Sequence, residues 1–118
     1  MTEQIPLADR DCVPPRQRIP PMDSTTYEPL LEQLDGWTVE NGQCLYRKFE
    51  FPDFLNALAF ANAVGGMAEA CQHHPDITIA WGKAEIRLWT HSIGGLSEAD
   101  FVLSARIERW YQANASTA

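Results

Sequence analysis

All three histidines of the chain fall within one stretch, residues 69–91, which reads EACQHHPDITIAWGKAEIRLWTH. His73 and His74 are adjacent, Pro75 closes the pair, and His91 follows a segment patterned as two short strands. Imidazole has an ordinary pKa of about 6.5, so one ring can donate a proton while another accepts one at neutral pH. No serine or cysteine stands in a recognisable nucleophile setting, and the three rings therefore point to acid–base work on one substrate. Taken singly, each histidine reads as a solvated helix or strand end; what lifts them above that is a pattern that brings them together. Zinc is the rival chemistry, because three imidazoles with Glu69 or Cys71 would fill a tetrahedral site. Adjacent histidines at a helix end seldom face one ion, however, and the i, i+4 histidine pair of a helical zinc site is absent. No metal is expected.

The convergence depends on a hairpin. Ile77, Ile79 and Trp81 are apolar at period two, as are Ala84, Ile86 and Leu88 beyond Gly82-Lys83. A two-residue turn at Gly82-Lys83 pairs Trp81 with Ala84, Ile79 with Ile86 and Ile77 with Leu88, all on one buried face. Extended outward, that register sets His74 opposite His91 with Cβ atoms roughly 5 Å apart, and Trp89 opposite Asp76 on the other face. Before the hairpin, Asp53 can cap a long helix whose apolar stripe runs Phe54, Leu58, Ala61, Val64, Ala68 and Cys71. Gly65-Gly66 in its middle costs about 1 kcal/mol per glycine relative to alanine, which calls for tight packing or a kink. Carried to its end, the helix sets Glu69 and His73 four apart on one face.

The remaining chain reads as scaffold. Five of the eight prolines lie within residues 1–22, so 1–24 is expected to be an extended arm laid on the surface or on a neighbouring subunit. Tyr27, Leu30, Leu31 and Leu34 suggest a short amphipathic helix over 26–34. Asn41-Gly42 then joins strands over 37–40 and 45–51, with Arg47 the exception on the apolar side. Ser97-Glu98-Ala99-Asp100 reads as a capping box opening a helix with Ala99, Leu103, Ile107 and Trp110 on one stripe, and 114–118 as a frayed tail. The order α-ββαββα implies an α+β fold: a four-stranded antiparallel sheet with two long helices on one face plus a short N-terminal helix, in a single domain over 25–113.

Composition narrows the function classes. The chain is 45% hydrophobic with 16 acidic against 9 basic residues, a net charge of −7, and has no block of Lys or Arg, which argues against a nucleic-acid or anionic-membrane surface. No apolar run approaches signal-peptide or membrane-span length, so a cytoplasmic location is expected. Cys12, Cys44 and Cys71 are odd in number and widely spaced, the pattern of reduced thiols rather than of a disulfide framework or a CxxC knuckle.

Glu69 and His73-His74-Pro75 with three residues between them, then Trp81 after five intervening residues, His91 after nine and Asp100 after eight, together resemble the signature of the pterin-4a-carbinolamine dehydratases. Gly36-Trp37, Phe49-Glu50-Phe51, Asp53-Phe54, Ala59-Phe60, Ala68-Glu69, Thr90-His91, Gly95-Leu96 and Ile107-Glu108 also sit where that family places such residues, so the likeness covers roughly 25–108. It is similar above all to bacterial members that accompany phenylalanine hydroxylase. The resemblance implies dehydration of a 4a-hydroxytetrahydropterin to the quinonoid dihydropterin, with pterin as the substrate and no cofactor. It makes His73 and His91 general acids reaching the hydroxyl, His74 a pterin-binding base, Glu69 a residue that tunes an imidazole, and Asp100 a secondary support at the substrate. Gln72, Thr90 and Ser92 become hydrogen-bonding pocket residues, and Trp89 a bulky replacement for a small residue that narrows the pocket. It implies a homodimer or homotetramer too. Members of the fold also act as dimerisation or assembly cofactors, but the assembly type lacks the paired histidines, so the enzyme is the preferred reading and the interaction module the alternative.

Overall fold

Alternating apolar side chains build one antiparallel sheet in the computed structural model, which describes residues 5–114. Strands β1 (Thr38–Glu40), β2 (Cys44–Glu50), β3 (Asp76–Ala80) and β4 (Lys83–Leu88) take the order β1-β2-β4-β3. The two hairpins meet at β2 and β4, where Leu45 pairs with Leu88 and Phe49 with Ala84. On the covered face Leu45, Phe49, Ala84, Ile86 and Leu88 are buried. Both long helices, α2 (Phe54–Cys71) and α3 (Glu98–Asn114), close over that face, since Phe60 of α2 and Tyr111 of α3 each pack on the Phe49 ring. A short α1 (Ser24–Leu31) precedes β1, starting two residues before the expected 26 and capped by Asp23, whose carboxylate accepts the Thr26 N–H. The expected α+β architecture is present. Arg47, the polar exception on the buried face, lays its guanidinium 4.3 Å from the Phe49 ring centre and donates to the Asp35 carbonyl.

The hairpin carrying the histidine stretch differs from expectation by two residues. Ile79 pairs with Ala84, Ile77 with Ile86 and Asp76 with Arg87, so the turn is Trp81-Gly82 rather than Gly82-Lys83. Gly82 takes φ +76° there, a conformation that disfavours a side chain. A shift of two preserves which residues face the core, and the apolar set stays inside except for Trp81, which the turn carries out to 73% exposure. Continuing this register sets His74 opposite Trp89, and Asp76 opposite Arg87, so the expected His74–His91 and Asp76–Trp89 pairings are both replaced.

α2 runs unbroken through Gly65-Gly66, where added Cβ atoms would meet nothing within 4 Å. Its buried stripe is Ala57, Phe60, Ala61, Val64, Ala68 and Cys71. Phe54 and Leu58, expected on that stripe, are exposed, because Phe60 takes the place facing Phe49 and Phe51. The proline-rich arm packs on the same globule. Leu7 is buried in the core, Arg106 of α3 donates to the Ala8 and Arg10 carbonyls, and Arg109 pairs with Asp9 at 2.9 Å. Farther on, the Met22 N–H donates to the Leu96 carbonyl at 2.9 Å. Cys12 and Cys71 are joined as a disulfide with Cα atoms 5.3 Å apart, which corrects the expectation of reduced thiols; sequence spacing could not show that the arm returns to the end of α2. Cys44 is free. The frayed tail lies outside the described residues except for Asn114, which closes α3. Among the described residues, no helix is long and apolar enough to cross a membrane.

Candidate active site

The end of α2 decides where the paired histidines go. Gln72 adopts the left-handed conformation at φ 54°, its N–H bonds to the Glu69 carbonyl, and the His73 N–H bonds to the Ala68 carbonyl. These are the two bonds of a Schellman motif, which ends a helix and turns the chain away. Two adjacent imidazoles therefore part: His73 goes inward and is buried, while His74 stays at the surface. The helix stops short of His73, so Glu69 pairs with His74 instead of with His73, at 2.5 Å from Nε2.

His73 meets a carboxylate. Its Nε2 lies 2.6 Å from Oδ1 of Asp100, a residue with no solvent exposure in the first turn of α3. The other oxygen, Oδ2, accepts the Thr90 hydroxyl at 2.8 Å and the Ser97 N–H at 2.9 Å, the latter being the capping-box bond expected of this segment. Ser97 Oγ lies 2.7 Å from Thr90 Oγ1 and donates to it, because the Thr90 proton is already committed to Asp100. A buried carboxylate surrounded by donors suits an anion near a helix N-terminus. With Nε2–H directed at Asp100, Nδ1 is the nitrogen His73 has free for a substrate.

His91 opens a short 3-10 turn, His91–Ile93, after Trp89 and Thr90 have followed β4, and its ring stacks on Trp89 with centroids 4.3 Å apart and planes 18° from parallel. A cavity of about 280 Å³ is lined by Pro14, Gln72, His73, His74, Trp89, Thr90, His91 and Ser92. All three histidines are thus brought to one space despite the altered register, because the Schellman turn and the 3-10 turn deliver them rather than a direct cross-strand pair. Gln72, Thr90, Ser92 and Trp89 join them there. Glu69 and Asp100 do not line it; each stands behind one imidazole, Glu69 in solvent and Asp100 in the interior. Pro14 is the wall that sequence reasoning missed, and Cys12, two residues earlier, is the only sequence handle on it. Among the described residues, no group of three His, Cys, Asp or Glu side chains is placed to hold a metal ion.

A cavity of about 240 Å³ between Pro6–Ala8 and α3 offers Glu108 and Arg109 but no histidine. Burial lifts the Glu108 carboxyl above the usual range, opposed by the Asp35 N–H and the Arg47 guanidinium. Both partners are structural: Asp35 N–H donates to Glu108 at 2.8 Å, and Arg47 lies 3.7 Å away. The three histidines line the other cavity.

Comparison with known proteins bears on the same region. Residues 20–110 match the family described as Pterin 4 alpha carbinolamine dehydratase. A Rickettsia bellii protein named for pterin-4-alpha-carbinolamine dehydratase is 41% identical over 109 residues, covering 92% of this chain and 96% of the relative. One from Rubrobacter xylanophilus, named likewise, is 47% identical over 103 residues, covering 87% and 96%. Among solved structures, a transcriptional coactivator/pterin dehydratase from Brucella melitensis superposes with a TM-score of 0.71 at 29% identity, over 75% of this chain and 96% of that one. A pterin dehydratase-like protein identified as a RuBisCO assembly factor shares the fold, with a TM-score of 0.54 at 24% identity over 63% and 87%.

Proposed function

The chain belongs to the pterin-4-alpha-carbinolamine dehydratase family, and from that premise we propose that it is a hydro-lyase that removes water from a 4a-hydroxytetrahydropterin by histidine acid–base catalysis. The observation that carries this reading is the meeting of His73, His74 and His91 on one cavity, with a carboxylate behind two of them. Dehydration needs a proton delivered to the 4a-oxygen as the C4a–O bond breaks and a proton removed from N5 as the C4a–N5 double bond forms. The products are water and the quinonoid dihydropterin. No electrons leave the substrate, so the reaction as written needs no cofactor.

His73 and His91 act on the leaving hydroxyl and His74 binds the ring and takes the N5 proton. Asp100 fixes the His73 tautomer and balances the charge that the imidazole acquires on protonation, as a buried carboxylate does behind any working histidine. Glu69 orients His74 at the mouth. Trp89 supplies a flat wall suited to a planar bicyclic ring, and Gln72 and Ser92 offer hydrogen bonds at the rim, while Thr90 acts through its bond to Asp100. In this reading the enzyme serves pterin recycling beside phenylalanine hydroxylase, in the cytoplasm. Purified protein should speed the decay of enzymatically generated 4a-carbinolamine followed by ultraviolet absorbance; decay no faster than in buffer would remove the reading.

A binding role on the same fold is the second reading. Phe54, Leu55 and Leu58 lie exposed along the first turns of α2, and such a strip suits self-association as a homodimer or homotetramer. Light scattering on a size-exclusion column distinguishes these from a monomer.

A further inference from the structure

The arm passes one edge of the cavity as a strap, contributing Pro14 to its lining. It is anchored upstream by buried Leu7 and the Arg106 bonds to Ala8 and Arg10, and downstream by the Met22 N–H on the Leu96 carbonyl. Between those anchors the described residues show one covalent attachment to the body of the fold, the bridge from Cys12 to Cys71 at the last position of α2. Cys71 immediately precedes Gln72, His73 and His74, and Cys12 is two residues from Pro14. The bridge thus ties the strap to the segment that carries the paired histidines, and it does so where Pro14 forms a wall of their cavity. A second cavity, about 450 Å³, lies on the other side of that wall and shares Pro14 and Gln72 with the first. Pro14 and Gln72 stand between the two spaces, so a displaced strap would merge them.

We propose that the strap is part of the pterin site, with Pro14 as a substrate-binding wall, and that the Cys12–Cys71 disulfide positions it, so that a dithiol reductant loosens pterin binding without touching the acid–base groups. This rests on the dehydratase reading above. Chemically, a dithiol gives two electrons and two protons to the bridge: the sulfur–sulfur bond breaks, Cys12 and Cys71 become thiols, and the reductant becomes a disulfide. Such bridges persist in oxidising surroundings and open in reducing ones, which makes the wall sensitive to the redox state of its surroundings. Because Leu7 and Met22 hold the strap at both ends independently of the bridge, opening it frees the middle without unfolding the domain. The effect belongs on ground-state binding, since a preorganised wall lowers the ordering cost of the complex, whereas the protons move between substrate and the three histidines.

The test compares oxidised protein, protein treated with dithiothreitol, and Cys12→Ser. Carbinolamine dehydration is measured in each, alongside thiol alkylation with mass analysis and tryptic cleavage after Arg16 and Arg18. KM is expected to rise roughly three- to ten-fold on reduction or in Cys12→Ser, with kcat within about two-fold, the size of losing one ordered segment. Cys12→Ser should no longer respond to dithiothreitol, and cleavage in the strap should quicken when the bridge is open. Equal KM in all three forms of an active enzyme overturns the proposal, as does finding Cys12 and Cys71 fully alkylated in air-oxidised protein. Absence of dehydration in every form defeats the dehydratase reading and the pterin wall together; unchanged cleavage would then overturn the tether as well.

Discussion

Two imidazole–carboxylate pairs sit at this site, and their surroundings set them apart. His73–Asp100 is buried and its carboxylate is held by two further donors, whereas His74–Glu69 stands in solvent at the end of α2. A screened surface pair is worth little, and its histidine keeps water as an alternative partner. Asp100→Asn therefore should lower kcat by about 10- to 100-fold with little change in KM, because Asp100 does not line the cavity and an amide in its place favours the wrong tautomer of His73. Glu69→Gln should lower kcat less than about five-fold. Steady-state kinetics of the two variants decide this, and equal losses would contradict the distinction. The residue types were legible in the sequence, since His73, His74, His91, Glu69 and Asp100 stand at diagnostic spacings. Which carboxylate serves which imidazole was not, because it depends on the left-handed turn at Gln72, and glutamine carries no strong signal for that conformation.

At the scale of elements, the periodicities identified every strand and both long helices, and failed where one local choice decides a register. Trp81-Gly82 and Gly82-Lys83 are both two-residue turns that put the same residues inward; only the φ of Gly82 and the exposure of Trp81 separate them. The α2 stripe was displaced because Phe54 and Phe60, six residues apart, point about 120° apart around the helix, so only one can face the sheet, and it is Phe60 that meets Phe49 and Phe51. The cap of α2 was plain from sequence: Asp53 accepts the Asn56 N–H at 2.8 Å, and that bond holds its carboxyl below the usual aspartate range. A depressed native pKa contributes stability above the unfolded value and loses it as pH falls through the native one. Asp53→Ala should thus lower Tm by roughly 4 °C at pH 7, and the gap to wild type should close in acid below about pH 4. Calorimetry at several pH values checks it; a gap independent of pH would show that the carboxylate charge is irrelevant to the cap.

For the whole molecule, composition correctly marked a small globular chain but could not place the arm. Proline-rich sequence has no periodicity to reveal a docking face, and an odd cysteine count concealed a pair. Yet Leu7 is only 3% exposed and belongs to the same core as Phe49 and Ile107. Leu7→Ala should cost about 2–4 kcal/mol in urea unfolding, as truncation of any buried leucine does, while a change near zero would mean that the arm is not docked in solution. The same docking brings Pro14 to the cavity, so fold stability and the cavity wall share one segment. On the proposed reading three imidazoles brought to one cavity expel the 4a-hydroxyl, and the decisive measurement is ultraviolet-monitored decay of the 4a-carbinolamine with wild type beside His73→Ala. Wild-type protein should accelerate the decay and His73→Ala should lose on the order of 10²-fold of that rate, the usual contribution of a positioned acid or base; full activity in the folded variant would contradict the account.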